Sequence, residues 1–315
     1  MTKGNGGEPE VISDNAGPGK EEGMEEERAQ LLFCAERIHA LYGTGFALSD
    51  VSFAAEAGTL TALLGANGSG KTTLLRAICQ QMKHEGRCFV ASERKAHVGR
   101  AKSSRVALEE LSTRELARTV SYVPQRSGIS IGIPVLDVVL MGFNPVLGLL
   151  EKPDGAQRGQ AREALGAVGL ANMEKRDYLS LSEGQKRLVL LARLSVEDTR
   201  LLVLDEPDGA LDFPNRYGMI KRTADLVRGQ KKAAVLSLHD PMLALEFCDR
   251  ILLLKNGKVV GRLSPASDGV REMEDALREI YGPLTLAACS GKDGRKRLAL
   301  LWEEEGKEEG KEEGK

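Results

Sequence analysis

The chain has 315 residues, a formal net charge of −2, 42% hydrophobic residues and 29% charged ones. That size allows one large or two small domains with a substantial core, and the near-zero charge gives no electrostatic case for sequence-independent nucleic-acid binding. No apolar run approaches the roughly 20 residues that span a bilayer, so any membrane role has to come through a partner. The acidic, Gly-rich beginning lacks the apolar h-region of a secretory signal. The five cysteines, Cys34, Cys79, Cys88, Cys248 and Cys289, are scattered without CxxC spacing. They read as reduced, partly buried thiols of a cytosolic protein rather than as a metal set.

Residues 1–28 are rich in Gly and Glu and are expected to be disordered. An apolar strand, LTALLG (60–65), then runs into a glycine loop and a helix, TTLLRAICQQM (72–82), with Leu74, Leu75, Ile78 and Met82 on one face. Helical character dominates about 128–200 and suggests a helical insertion. The apolar runs LLVLDE, AAVLSLH and RILLLK read as buried strands, with helices expected in PNRYGMIKRTADLVRG and DPMLALEFCDR. Asn256-Gly257, between RILLLK and KVVGRL, is a two-residue hairpin signal. The closing EEEGKEEGKEEGK (303–315) reads as a solvated tail. Strands alternating with helices argue an α/β fold with a largely parallel sheet, in a single domain over 29–302.

GANGSGKT, Gly65 to Thr72, fits G-x-x-x-x-G-K-[ST] and lies between a strand and a helix, the context that separates a P-loop from a chance match. Gly65, Asn67, Gly68, Ser69 and Gly70 would wrap backbone N–H groups around phosphate oxygens, aided by the helix N-terminus. Lys71 would reach the β- and γ-phosphates of ATP, Thr72 would ligate Mg²⁺, and Thr73, directly after the motif, is a further candidate for nucleotide binding. LLVLDEP supplies the acidic partners at a strand's C-terminal end, where ligands bind in open α/β sheets. Asp205 suits the Mg²⁺ shell, and Glu206 suits the orientation or deprotonation of an attacking water.

The ordered set GANGSGKTT, YVPQ, LSEGQ, LLVLDEP, GALD and LSLHD resembles the ATP-binding subunits of ABC (ATP-binding cassette) transporters. This resemblance implies a P-loop NTPase core with a small antiparallel β subdomain and an inserted α-helical subdomain. It implies that Gln125 senses Mg²⁺ and the γ-phosphate, that His239 contacts the γ-phosphate, and that Asp212 sits at a dimer interface. Tyr42 would stack on adenine, for which a flat aromatic face is suited, although core packing is an alternative. Two copies would pack head to tail, so that Ser182, Gly184 and Gln185 of one cap the ATP of the other. Ser182 and Gln185 have capping-box spacing, which starts a helix near Glu183. Glu183 stands where the family usually has glycine and is expected to point away from phosphate. Asp208 replaces a small hydroxyl residue and would add a carboxylate near the interface.

LSTRELARTVSYVPQ, PVLDVVLMGFNPVLG and EIYGPLTLA further resemble the branch that imports iron–siderophores, haem and vitamin B12. The implied partners are integral-membrane permease subunits and, indirectly, an extracytoplasmic substrate-binding protein, with this chain peripheral on the cytoplasmic face. Val135, Val138, Val139 and Met141 suit either a permease groove or the helical core. The segment 82–106 is longer than usual and is expected to extend as a loop from the antiparallel part. An exporter subunit and a soluble ABC-type regulatory ATPase remain as alternatives.

Overall fold

The computed structural model describes residues 31–42, 45–92, 104–148, 150–209, 211–292, 294 and 296–303. Residues 1–28 and nearly all of the 303–315 tail lie outside this range.

The chain opens with β1 (Leu31–Tyr42), β2 (Gly45–Glu56) and β3 (Leu60–Leu64), followed by α1 (Lys71–Ile78), β4 (Glu85–Ser92) and β5 (Ser104–Ala107). Next come α2 (Thr113–Thr119), β6 (Val120–Val123), α3 (Val135–Leu140), α4 (Gly155–Ala167) and α5 (Glu183–Val196). The second half holds β7 (Leu201–Leu204), α6 (Phe213–Gly229), β8 (Ala233–Ser237), α7 (Pro241–Phe247), β9 (Arg250–Lys255) and β10 (Lys258–Leu263). It ends with α8 (Val270–Tyr281), β11 (Leu284–Ser290) and β12 (Lys296–Trp302).

The central six-stranded sheet has the order β10-β9-β3-β8-β7-β6. Its pairs are parallel except for the hairpin edge β9–β10. An antiparallel sheet, β2-β1-β4-β5, packs beside it. The α/β class, the parallel core, the antiparallel part and the helical insertion expected from sequence are therefore all present.

Both faces of the central sheet are covered, which is why its inner strands β3, β7 and β8 are buried at every position rather than at alternate ones. Leu60, Ala62 and Leu64 of β3 enter one apolar cluster, with α3, α4, α5 and α6, while Leu63 enters the other with α1 and the antiparallel sheet. Val135, Val138 and Val139 are fully buried in the first cluster, and Met141 is 38% exposed. The helical core thus accounts for the three valines.

Helix α1 is shorter than the periodicity suggested. It ends at Ile78, and Gln80 turns left-handed with φ 56°, leaving Met82 beyond the helix but still packed on the same cluster. The segment 82–106 is not simply a loop. Its ends form β4 and β5, which pair through Phe89 with Ala107 and Ser92 with Ser104, while residues 93–103 lie outside the described range.

The Asn256-Gly257 turn is the expected tight hairpin, with φ 50° and 74° at the two positions. A Cβ on Gly257 would meet the Ala47 carbonyl oxygen at 2.6 Å. Gly70 is pinched by the same carbonyl, at 2.8 Å. Both glycines are therefore required by the close approach of β2 to the central sheet. Gly257→Ala should destabilise the protein by roughly 1–3 kcal/mol in urea denaturation. An unchanged midpoint would show that β2 and the hairpin are not pressed together.

Candidate nucleotide site

The P-loop follows β3 and closes onto α1. Gly65, Gly68 and Gly70 all have left-handed φ values, 156°, 79° and 105°. A Cβ on Gly65 would overlap the Leu254 carbonyl oxygen at 2.2 Å, so the loop depends on its absence. Asn67 and Gly68 are exposed, and Thr73 follows Thr72 in the first turn of α1. Lys71 folds back, donating to the carbonyl oxygens of Gly65 at 2.7 Å and Ala66 at 3.2 Å. Burial lowers the pKa of its ammonium, while Glu206 and Asp205 pull it back up. The Ser69 hydroxyl is buried without a hydrogen-bond partner. An orphan donor inside a glycine cradle at a helix start fits an anionic phosphate.

Asp205, 2% exposed, stands at the end of β7 and is the hub of the site. Its Oδ1 accepts from the Thr72 hydroxyl at 3.1 Å and from the Ser237 hydroxyl at 2.8 Å. Ser237 in turn accepts from the Glu206 backbone N–H at 2.8 Å. Glu206 holds φ 48°, a costly backbone for a residue with a side chain. Its carboxylate lies 2.7 Å from His239 Nε2 and also accepts from Gln125 Nε2. Thr72 and Asp205 present hard oxygen donors, the type that Mg²⁺ prefers. Thr72, Gln125, Asp205, Glu206 and His239 thus form one connected set.

Ser182, Gly184, Gln185 and Asp212 are organised locally. Ser182 caps α5, with its N–H donating to Gln185 Oε1 at 3.1 Å and Gln185 N–H donating back to its hydroxyl at 3.3 Å. Glu183 is turned to Lys186, with the ions 2.8 Å apart. A Cβ on Gly184 would meet Leu211 Cδ2 at 3.5 Å and Ser182 Oγ at 4.0 Å, both ordinary contacts, so the chain's own packing does not demand glycine there. Asp212 caps α6, accepting from Asn215 N–H at 3.1 Å. Tyr42 ends β1, and its side chain lies outside what the structure describes.

Two residues escaped the sequence reading. Arg187, 7% exposed, reaches from α5 to donate to the carbonyl oxygens of Pro124 and Gln125, tying the LSEGQ helix to the YVPQ segment. A charged residue within the apolar stripe RLVLLA was the available signal. Ser237 was concealed in an apolar strand, because its two partners come from distant elements.

The carboxylate added by Asp208 is buried. It is 3% exposed, and its Oδ1 has no hydrogen-bond partner among the described residues. Burial raises its pKa, against the opposing pull of its own backbone N–H, Arg216 and His239.

The ABC transporter family profile, described as "ABC transporter", matches residues 48–209. The hemin import ATP-binding protein HmuV of Shewanella denitrificans is 32% identical over 223 residues, 69% of this chain and 82% of that protein. Its namesake from Burkholderia thailandensis is 32% identical over 260 residues, 79% of this chain and 92% of that protein. The chain belongs to the ABC transporter family. It is an ATP-binding, ATP-hydrolysing cassette. The fold is also that of a solved transporter provisionally described as metal-chelate type, in an inward-facing conformation. That match has a TM-score of 0.70 and 23% identity, and covers 86% of this chain and 98% of the other.

Replacing Glu183 by glycine should leave ATP turnover within a few-fold of wild type, since an exposed ion pair of this kind contributes at most about 1 kcal/mol. A change of orders of magnitude would place the carboxylate against phosphate. For Asp208, the folded-state pKa lies above the unfolded value, so ionisation costs stability once pH rises through the folded pKa. Asp208→Asn should therefore be more stable than wild type in thermal melts at neutral pH. The gain should vanish as pH falls towards the ordinary carboxylate value of 3.8. A destabilised variant at neutral pH would show a paired carboxylate.

Proposed function

We propose that the chain is the ATPase subunit of an importer for an iron chelate of hemin type, within the wider group that carries iron–siderophores, haem and cobalamin. The single observation that carries the cargo class is the identity with the hemin import ATP-binding proteins along 79% of the chain. The chain would act on the cytoplasmic face, bound to permease subunits served by an extracytoplasmic substrate-binding protein. Among the described residues, no helix is long and apolar enough to cross a membrane.

In this reading the phosphates of ATP replace the loop carbonyls as partners of Lys71 and take up the free Ser69 hydroxyl. Thr72 and Asp205, with Gln125, would hold Mg²⁺, which neutralises charge on the β- and γ-phosphates. Glu206, anchored through Ser237, accepts the proton of the attacking water, while His239 and Gln125 orient its carboxylate and face the γ-phosphate. Two copies would close head to tail over two nucleotides. The unneeded glycine at 184 supports that reading, since it leaves the start of α5 open to a partner's phosphate. So does Phe213, 71% exposed beside Asp212. Tyr42 is proposed to stack on adenine. Closure on ATP would shift the permease between its two states by differential binding.

The test is Glu206→Gln. The variant should bind ATP and dimerise but lose about 10²-fold or more in turnover, and cells carrying it alone should fail to take up hemin. Normal turnover would remove Glu206 from the chemistry. Normal hemin uptake in cells deleted for the chain would remove the cargo assignment while leaving the ATPase intact.

A further inference from the structure

We propose that His84, Cys88 and Glu109 bind one zinc-class dication at the root of the β4–β5 excursion. His84 precedes β4, Cys88 lies on it, and Glu109 sits in the single 3-10 turn Leu108–Glu110 after β5. The three candidate ligand atoms all lie within 4.8 Å of one another. In tetrahedral zinc, with bonds of about 2.0–2.3 Å, neighbouring ligand atoms sit about 3.3–3.8 Å apart. Closing around a cation therefore needs side-chain adjustments of about 1 Å.

The His84 ring supplies an independent observation. Its side chain is only 3% exposed, yet Nε2 is buried without a hydrogen-bond partner. Nδ1 lies 3.3 Å from the Glu85 carbonyl oxygen, which can only accept, so Nδ1 carries the hydrogen. In the neutral ring Nε2 is then a bare lone pair, 3.9 Å from Glu109 Oε1, another acceptor. Two acceptors facing each other, one of them on a buried ring, repel unless a proton or a metal cation lies between them. Nδ1–H donated to a backbone carbonyl is also the arrangement that orients a metal-binding imidazole.

The rest of the cluster is braced in the same way. Glu109 Oε1 accepts from the Cys88 backbone N–H at 2.7 Å and from Gln80 Nε2 at 3.2 Å. This fixes the carboxylate beside the fully buried Cys88. One thiolate and one carboxylate neutralise a dication, which offsets the desolvation cost of either charge alone. A sulfur, a nitrogen and an oxygen donor favour zinc over Mg²⁺ or Ca²⁺. The three ligands leave a fourth position for water. The proposal departs from the sequence reading of the cysteines only for Cys88, which the 3-10 turn after β5 brings next to Glu109. Bound metal would staple the two ends of the excursion to the segment leaving α1.

The test uses the full chain, stripped with chelator and titrated with Co²⁺ and then Zn²⁺. One equivalent of Co²⁺ should produce a near-ultraviolet thiolate charge-transfer band and strong visible bands of tetrahedral cobalt. Zn²⁺ should displace it and raise the melting temperature. Cys88→Ser should abolish the charge-transfer band. His84→Gln and Glu109→Gln, which keep the local shape, should weaken Zn²⁺ binding at least about tenfold with the fold and ATP turnover unchanged. The proposal is overturned if no thiolate band forms, or if zinc affinity is the same in both glutamine variants. Binding lost only in His239→Ala would also overturn it, by placing the metal on the Glu206–His239 pair.

Discussion

The buried carboxylate of Asp205 is the constraint on which the rest of the site depends. A desolvated charge costs several kcal/mol unless fixed donors surround it. Here the donors are hydroxyls from α1 and from the end of β8, so the P-loop helix, β7 and β8 meet at one atom, Asp205 Oδ1. The Ser237 hydroxyl uses its hydrogen on Asp205 and its lone pair on the Glu206 N–H, which holds the next residue in a left-handed turn. Such a backbone costs on the order of 1–3 kcal/mol. In exchange, the Glu206 carboxylate leaves the strand end facing Gln125 and His239 instead of following the sheet.

From this hub a continuous set of contacts runs into the helical part. Gln125 touches Glu206 by its side chain and Arg187 by its carbonyl oxygen. Arg187 belongs to α5, the helix whose first turn is capped by Ser182 and Gln185. Burial lowers the pKa of the guanidinium, opposed by the surrounding Glu183, Tyr178, Asp208 and Glu206. The donors it gives to two carbonyls are what make that burial tolerable. The loop that would meet a second copy is thus rigidly connected to the residue that would face the γ-phosphate, through one buried side chain.

A second constraint is the approach of the antiparallel sheet. The carbonyl of Ala47 fills the space that a Cβ would need at both Gly70 and Gly257. Gly257 N–H also bonds to the Ser69 carbonyl oxygen at 3.0 Å, and Ser49 N–H to the Gly257 carbonyl oxygen at 2.8 Å. The hairpin turn, the P-loop and β2 are therefore one packed unit. Its position gives the phosphate loop a rigid floor.

The sequence by itself determined whatever is local or periodic. GANGSGKT prescribed a glycine cradle, apolar runs such as LLVL and AAVLS declared strands covered on both faces, and Ser182 with Gln185 declared a capped helix. These are legible because each depends on backbone geometry or on neighbours within a few residues. Only the tertiary structure decided which side chains meet across the sheet. Ser237 is a lone hydroxyl in an apolar strand until β7 places Asp205 beside it. Arg187 is one charged residue in an apolar stripe until α5 packs against the YVPQ segment. Asp208 reads as an added carboxylate near the interface, and the fold decides that it is buried. The end of α1 was set by a left-handed Gln80 rather than by the apolar pattern, which runs on to Met82. His84 and Cys88 are four residues apart, but Glu109 joins them only because β5 pairs with β4. Contacts between distant segments depend on register and packing, and neither leaves a period in the chain.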